Sequence, residues 1–269
     1  MLMVVSPAKS LDFESPLPSG LPATRPPMLD ESARLADILR QMAPQDIAGL
    51  MQVSDKIAAL NVARFAEWHA NYSAPQARQA VFAFNGDVYE GLDAASLDRA
   101  GLDWLQPRLN ILSGLYGLLR PLDLMLPYRL EMGTRLANPR GKNLYEFWGE
   151  RITRTLRADL TEAPGSRALI NLASDEYARS VQFADFAQPV IAPRFEDTNA
   201  AGARQVVSFF AKRARGAMAG WLVRERVRSP RALKKFAEGG YRYDPATSTT
   251  QQPVFVRRYQ DRPAMPSGR

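Results

Sequence analysis

The chain opens with the stretch MLMVVSPAKSL at residues 1–11, and the fold can be worked out from it. Leu2 to Ser6 is short and apolar, and Pro7 ends it, which is typical of a buried strand. Six prolines within residues 7–27 predict an irregular connection after that strand. The first element is therefore predicted to be a strand inside a sheet, followed by a loop.

Lys9 lies where this strand passes into the loop, between the hydroxyls of Ser6 and Ser10. In sheets that carry helices on both faces, ligands gather at strand ends, and a lysine binds phosphate as a point charge. These three residues are the first candidate binding residues. An ordinary exposed lysine is the alternative interpretation.

Strand-like runs alternate with helical patterns along the rest of the chain. The further predicted strands are Ala80–Phe84, Leu109–Leu112, Arg167–Leu172, Pro189–Phe195 and Pro253–Tyr259. The predicted helices are Leu29–Met42, a short helix opened by Pro44, a helix capped by Ser54, Asn143–Leu160, Ser174–Val181 and Asn199 to about Val227. The alternation predicts an α/β fold, with a mixed sheet surrounded by helices in a single compact domain over residues 1–260, and a disordered tail at 261–269.

The composition excludes several kinds of site. The 269 residues are 46% hydrophobic and 23% charged, as in a globular protein. Cysteine is absent and His69 is the single histidine, which argues against disulfide frameworks, zinc fingers, iron–sulfur clusters and any thiol- or haem-bound metal. A carboxylate-bound metal stays open, but no metal or cofactor is assigned. No signal peptide or membrane-spanning run is evident, so we expect a cytoplasmic protein without a membrane partner.

The positive charge is concentrated in the last quarter of the chain. Lysine and arginine number 35 against 28 aspartates and glutamates, a net charge of +7. Residues 202–269 hold 15 basic and 4 acidic residues, a net +11, whereas residues 1–201 carry −4. This asymmetry indicates a polyanionic partner, with nucleic acid the first candidate. A solvated basic helix is the alternative.

The predicted helix in this region carries a basic stripe. Spacings of four, four and three residues place Arg204, Ser208, Lys212 and Arg215 in one sector of it, and Arg213 adds another cation. Such a stripe can follow a phosphate backbone, and its binding would depend strongly on salt.

Residues 44–68 are predicted to form two helices joined by a tight connection. Within them, residues 47–58 resemble the helix-hairpin-helix motif, in which backbone N–H groups and a lysine bind DNA phosphates without reading sequence. Lys56 occupies the position of that lysine, and Ser54 lies in the hairpin two residues before it. Gln52 and Ser54 replace the glycines of the motif, so a hairpin packed into the core is an equal alternative.

A further candidate cleft lining lies in a largely apolar stretch at residues 110–133. Its polar members are Tyr116, Arg120, Asp123, Tyr128, Arg129 and Glu131. The two arginines require partners if they are buried, and the two acidic residues are nearest in sequence. The stretch is interpreted as a lining that binds phosphate or a base, with a buried ion-pair lattice as the alternative. Asp87 follows an Asn-Gly turn, where it either caps a helix or pairs with Glu131 for acid–base work.

Eight blocks stand out along the chain: SPAKSLDF at 6–13, SDKIAALN at 54–61, FNGDVYEGL at 84–92, ILSGLYGLLRPLD at 111–123, PYRLEMGT at 127–134, LYEFWGERIT at 144–153, NLASDEY at 171–177 and AKRARG at 211–216. In this order they resemble the YaaA family of bacterial peroxide stress proteins. The resemblance implies a single α/β body with a helix-hairpin-helix-like element, a positively charged cleft and DNA binding. It also implies a role in limiting unincorporated iron, and hence oxidative damage to DNA, during peroxide stress. Because cysteine is absent, peroxide sensing through thiol oxidation is excluded, and any effect on iron is indirect or uses carboxylates.

The first functional hypothesis is a DNA-binding stress protein. Lys9, Ser54, Lys56 and the basic helix, with Lys212, Arg213 and Arg215, would contact phosphates without sequence preference. The sequence names no protein partner.

The second hypothesis is an enzyme acting on a phosphorylated or nucleoside-like small molecule. Its pocket would be built from Lys9, Arg120, Arg129 and Glu131, with Asp87 or Glu131 as base. No catalytic motif is found in the sequence, which favours a binding protein over an enzyme. A protein that only binds other proteins is a third reading.

Overall fold

The computed structural model describes residues 1–263. The strands are β1 Leu2–Val5, β2 Ser10–Leu11, β3 Arg78–Gln79, β4 Phe84–Asn85, β5 Leu109–Ser113, β6 Gly117–Leu119, β7 Leu124–Met125, β8 Leu169–Leu172, β9 Val190–Ile191, β10 Arg194–Thr198, β11 Arg204–Gln205, β12 Arg242–Tyr243 and β13 Val254–Arg257. The α-helices are α1 Leu29–Arg40, α2 Pro44–Met51, α3 Asp55–Glu67, α4 Ala80–Ala83, α5 Asp87–Leu92, α6 Arg99–Leu105, α7 Leu144–Trp148, α8 Arg151–Glu162, α9 Asp175–Ala178 and α10 Ser208–Arg224. Short 3-10 turns lie at Ala94–Ser96, Phe183–Asp185, Pro230–Lys235, Glu238–Gly240 and Tyr259–Asp261.

The first strand lies at the centre of a five-stranded sheet. Its order is β6-β5-β1-β8-β9, and β1 pairs in parallel with both β5 and β8. All four residues of β1 are buried, as expected for a parallel strand that is covered on both faces. β6 is antiparallel to β5 and makes the sheet mixed. The predicted α/β class with a mixed sheet is confirmed.

A second sheet was not anticipated from the sequence. It has the order β11-β10-β13-β12. At its centre the fully buried Asp197 accepts a bond from Arg257 Nε at 2.7 Å and another from the Tyr241 hydroxyl at 2.9 Å. The guanidinium of Arg257 also lies over the rings of Phe210 and Tyr241, at 4.3 and 4.5 Å. The core tolerates this charge pair because Asp197 accepts two hydrogen bonds and the guanidinium of Arg257 lies over two aromatic rings.

The long helix α10 joins the two sheets and packs closely against α5. It contacts β1 and β8 of the first sheet and β10 of the second. At its crossing with α5, a Cβ atom on Gly216 would lie 1.8 Å from the carbonyl oxygen of Val88, and one on Gly91 would lie 2.1 Å from that of Arg213. Only glycine fits at either position, so the two backbones are in direct contact. The start of α5 is thereby held beside the basic side chains of α10.

Two predicted elements near the middle of the chain differ from the structure. Ala80–Phe84 is not a strand: α4 forms a single helical turn there, and only Phe84 enters a strand. A short apolar run cannot be assigned to strand or buried helix from periodicity alone. The predicted helix from 143 to 160 is two helices, α7 and α8, because Gly149 adopts φ +49° and ψ −125°, which ends the first.

Two further predictions are corrected near the basic region. The strand at 189–195 is divided between β9 and β10, which belong to different sheets, with Pro193 between them. The predicted helix from Asn199 begins only at Ser208, because residues 199–203 form a turn that brings β11 back onto β10. Arg204 consequently belongs to β11 and not to the helical stripe, and it pairs with Asp244 at 2.6 Å.

The remaining predicted elements are present with shifted ends, including α1, α2, α3 and β13. Of the predicted tail, Asp261 ends a 3-10 turn, and residues 264–269 lie outside the described residues. Among the helices within residues 1–263, none has the length and apolar character needed to cross a membrane.

The crossing of α5 and α10 makes a direct stability prediction. Replacing Gly216 by alanine forces the two helices apart, and we expect the free energy of unfolding to fall by about 1–3 kcal/mol. Urea denaturation measures the change. Gly49→Ala is the matched control, because a Cβ there meets no atom within 4 Å, and removing a helical glycine should stabilise by about 0.5–1 kcal/mol. Equal effects of the two variants would contradict the close crossing.

Candidate functional site

A charged cleft of about 420 Å³ opens at the carboxyl ends of β1 and β8. Parallel strands commonly present ligand sites at this edge. It collects nine sequence-predicted residues, namely Ser6, Lys9, Ser10, Asp87, Tyr128, Arg129, Glu131, Lys212 and Arg215. These residues come from four separate parts of the chain, so only the folded topology brings them together.

Serine hydroxyls connect the ends of β1 and β8. Ser6 Oγ donates to Ser174 Oγ at 3.1 Å and accepts from the Ser174 backbone N–H at 2.9 Å. The Tyr89 hydroxyl, on α5, donates to the Ser6 carbonyl at 3.1 Å. Burial raises the pKa of Tyr89 well above its ordinary value, so it stays a neutral donor. These bonds tie α5 to the strand ends and fix this part of the cleft.

One side of the cleft is a three-residue ion cluster. Lys9 Nζ lies 2.8 Å from Glu131 Oε1, and Arg129 Nη2 lies 3.3 Å from the same oxygen. Glu131 was one of two carboxylates expected as partners for Arg120 and Arg129, and it pairs with Arg129. Arg129 Nε is buried and has no hydrogen-bond partner within residues 1–263. The cluster therefore carries a surplus positive charge and one unsatisfied donor.

Another side is formed by the basic residues of α10. Lys212 is exposed and Arg215 is partly buried. Neither side chain has a hydrogen bond or salt bridge to another residue of the part that the structure describes. Burial lowers the pKa of Arg215, and the charge of Asp175 partly offsets this. Arg215 is thus a desolvated cation without a bonded counter-ion.

The lining residues that were not singled out from the sequence include three that follow β8: Ser174, Glu176 and Tyr177. Glu176 Oε1 accepts the Gly133 N–H at 2.9 Å, which anchors the loop after Glu131. The signal that would have found them is a buried strand, β8, followed at once by polar residues, the same pattern that singled out Ser6.

Of the two tyrosines predicted to line the cleft, Tyr116 lies elsewhere and Tyr128 reaches it. Tyr116 is fully buried in the core, where its hydroxyl accepts from Trp68 Nε1 and the Leu126 N–H, both at 3.0 Å. Burial raises the pKa of Tyr116 to about 12. Tyr128 does reach the cleft, and its hydroxyl is hydrogen-bonded to Ser113 Oγ.

Arg120 does not line the cleft. Its guanidinium binds Asp159 on α8 at 2.6 Å. Asp123, its expected partner, instead accepts the Arg120 backbone N–H at 2.7 Å and the Thr24 hydroxyl at 2.6 Å. The pairing was missed because Asp159 is distant in sequence.

Asp87 and Arg213 also differ from expectation. Asp87 is the first residue of α5, whose cap is Gly86, so it does not cap the helix through its side chain. Arg213 points away from the cleft to a second cavity of about 370 Å³, where it lies 3.4 Å from Glu90. Arg213 and Arg215, two residues apart on α10, thus line different cavities.

The helical hairpin is present, but its residues are not in the cleft lining. α2 and α3 contact each other across a three-residue connection, in which Gln52 adopts φ +51°. Gln52 therefore takes a left-handed conformation of the kind that glycine favours. Ser54 sits at the cap position of α3 without a capping side-chain bond, and both it and Lys56 are exposed.

Carboxylates are not grouped into a metal site in the described part of the chain. Within residues 1–263, no three of the possible ligands His, Asp and Glu come together.

Comparison with known proteins finds one matching family model and bacterial relatives that are similar over nearly their whole length. A family model described as peroxide stress protein YaaA matches residues 1–247. A UPF0246 protein of Laribacter hongkongensis is 77% identical over 257 residues, which cover 96% of this chain and 99% of that protein. UPF0246 proteins of Burkholderia cenocepacia and Chromobacterium violaceum are 52% and 53% identical, again over 96% of this chain and 99% of each relative.

Proposed function

The chain belongs to the peroxide stress protein YaaA family, and on that premise we propose that it binds DNA phosphates through the charged cleft during peroxide stress. The observation that carries the proposal is the meeting of Lys9, Arg129, Lys212 and Arg215 in one cleft. Cations clustered on one surface are the footprint of phosphate binding. The excess of basic residues after position 202 agrees with this assignment.

Binding of this kind fixes position without reading bases. Lysine and arginine contacts to phosphate release condensed counter-ions, so affinity falls steeply with salt and depends little on sequence. Lys212 is the most available contact, because it is exposed and has no salt bridge within residues 1–263. Lys9 is exposed too, but it must exchange Glu131 for phosphate.

The α2–α3 hairpin is proposed as a second, separate phosphate contact. Lys56 is exposed, and the Ser54 side chain makes no capping bond to the N–H groups at the start of α3. A helix start with free N–H groups attracts anions. The hairpin would lengthen the DNA contact beyond the cleft.

A protective effect against iron follows from the same contacts. Ferrous ions associate with DNA as counter-ions, and a protein that neutralises phosphates displaces counter-ions from the backbone. Peroxide would then meet less iron at the DNA. This route is consistent with a chain that has one histidine and no cysteine.

The DNA-binding proposal is tested by removing single charges. We expect Lys212→Gln to weaken binding to a short duplex several-fold and to reduce the slope of log K against log salt by about 1. Fluorescence anisotropy across a salt series measures both. Lys142→Gln, an exposed lysine outside the cleft lining, is the matched control and should leave the slope unchanged. The proposal fails if wild-type protein does not bind at low salt, or if the two variants behave alike.

The iron route has its own test. Ferrous iron and peroxide nick supercoiled plasmid, and we expect wild-type protein to slow nicking in proportion to DNA occupancy. Lys212→Gln should protect the plasmid less than wild-type protein does. Lys142→Gln should protect it to the same extent as wild type. Equal protection by all three proteins at equal concentration would show that DNA binding is not the cause.

An enzyme acting on a phosphorylated or nucleoside-like molecule is the second candidate. Its support is the volume of the cleft, about 420 Å³, which is within the range of small-molecule sites. Its residues would be Lys9, Arg129 and Glu131, without Arg120. Asp87 or Glu131 would act as base.

A further inference from the structure

We infer that the cleft accommodates one mononucleotide unit, with its phosphate at Arg215 and Lys212 and hydrogen-bond donors of its base or sugar at Glu131. The inference rests on the cleft being the binding site proposed above, and it adds the class of ligand and the side chain that holds each part. It does not depend on that ligand being part of DNA.

Arg215 is the first support. A partly buried guanidinium loses hydration, and this cost is recovered only if an anion bonds to it. Within residues 1–263 no side chain makes such a bond, and Asp175 acts on Arg215 only through its field. Lys212 lies three residues earlier on the same helix and is likewise without a salt bridge in that range. Two adjacent cations that lack partners suit a phosphate, which carries up to two negative charges.

Arg213 provides an internal contrast on the same helix. It lies against Glu90, and Arg224, the last residue of α10, makes bonds of 2.9 and 3.0 Å with Glu238. These arginines line the second cavity, where each cation has its own carboxylate. The lack of a bonded carboxylate at Arg215 is therefore a property of the cleft and not of α10 as a whole.

Glu131 supplies the complementary group. Both Lys9 and Arg129 contact its Oε1 atom, and Oε2 accepts no hydrogen bond from residues 1–263. That oxygen is available to an N–H or O–H donor on the ligand. Arg129 Nε, in the same cluster, is a buried donor without a partner within residues 1–263, and it suits a ligand acceptor.

The mixture of charges selects among anionic ligands. The cleft is lined by four cations and by the carboxylates of Asp87, Glu131 and Glu176. A ligand that is anionic throughout, such as polyphosphate, would meet repulsion from the carboxylates. A nucleotide combines one phosphate with base and sugar donors, so it matches both signs. A volume of about 420 Å³ is adequate for one such small-molecule unit.

Titration calorimetry with nucleoside 5′-monophosphates, deoxyadenosine and inorganic phosphate tests the inference. We expect dAMP or another monophosphate to bind wild-type protein about tenfold or more tightly than the nucleoside, because the phosphate bonds are charge-assisted. Arg215→Gln should abolish that advantage, and Arg213→Gln should preserve it. Lys212→Gln, an exposed substitution that leaves the core intact, should reduce it and keeps the test valid if Arg215→Gln does not fold.

The inference is overturned by any of three results. The first is that nucleoside and monophosphate bind wild-type protein equally or not at all. The second is that the Arg215 and Lys212 variants both bind the monophosphate as wild type does. The third is that inorganic phosphate binds as tightly as every monophosphate, which would leave no contribution from Glu131.

Competition with fluorescent duplex DNA separates the two sources of such a nucleotide. Displacement of the duplex by the monophosphate places a nucleotide of DNA in this site, whereas Arg215-dependent binding without displacement assigns it to a free nucleotide. Duplex binding with no monophosphate binding overturns the inference and leaves DNA binding standing. Monophosphate binding with no duplex binding supports the inference and contradicts the proposed DNA binding.

Discussion

The backbone contact between α5 and α10 is the constraint on which the cleft depends. Gly216 and Gly91 let the two helices touch without intervening side chains. α5 is tied in turn to the end of β1 through the Tyr89 hydroxyl. The basic face of α10 is thus held beside the polar ends of the central strands. A longer distance between the helices would separate Lys212 and Arg215 from the remaining lining.

Charge is distributed unevenly within the cleft, and this distribution shapes the proposed chemistry. The Lys9, Arg129 and Glu131 cluster contains its own carboxylate, whereas Lys212 and Arg215 of α10 have no bonded counter-ion within residues 1–263. Satisfied pairs hold a binding surface in shape, and unsatisfied charges supply the drive to bind an anion. On the proposed function, the same division would let one cleft bind phosphates of a long polymer or of a single nucleotide.

Local signals predicted the parts of the fold that local chemistry determines. The apolar run before Pro7 identified β1, and Pro44 identified the start of α2. The second sheet was missed because its pairs are long-range and its strands are short, and because the turn after Asn199 looked helical. Nine of the residues singled out from the sequence line the cleft, and those after β1 were found because polar residues after a buried strand mark a sheet edge. Arg120 was assigned wrongly because its partner, Asp159, lies on a helix far along the chain.

Amide hydrogen exchange with and without a short DNA duplex tests the central claim most directly. If the cleft binds phosphates, DNA should slow exchange at residues 6–11 and 128–133 and at the first turns of α10 (Ser208–Arg224). Slower exchange in α2 and α3 would accompany this if the hairpin adds a contact. Slower exchange confined to the hairpin, with no change at the cleft, would contradict the account.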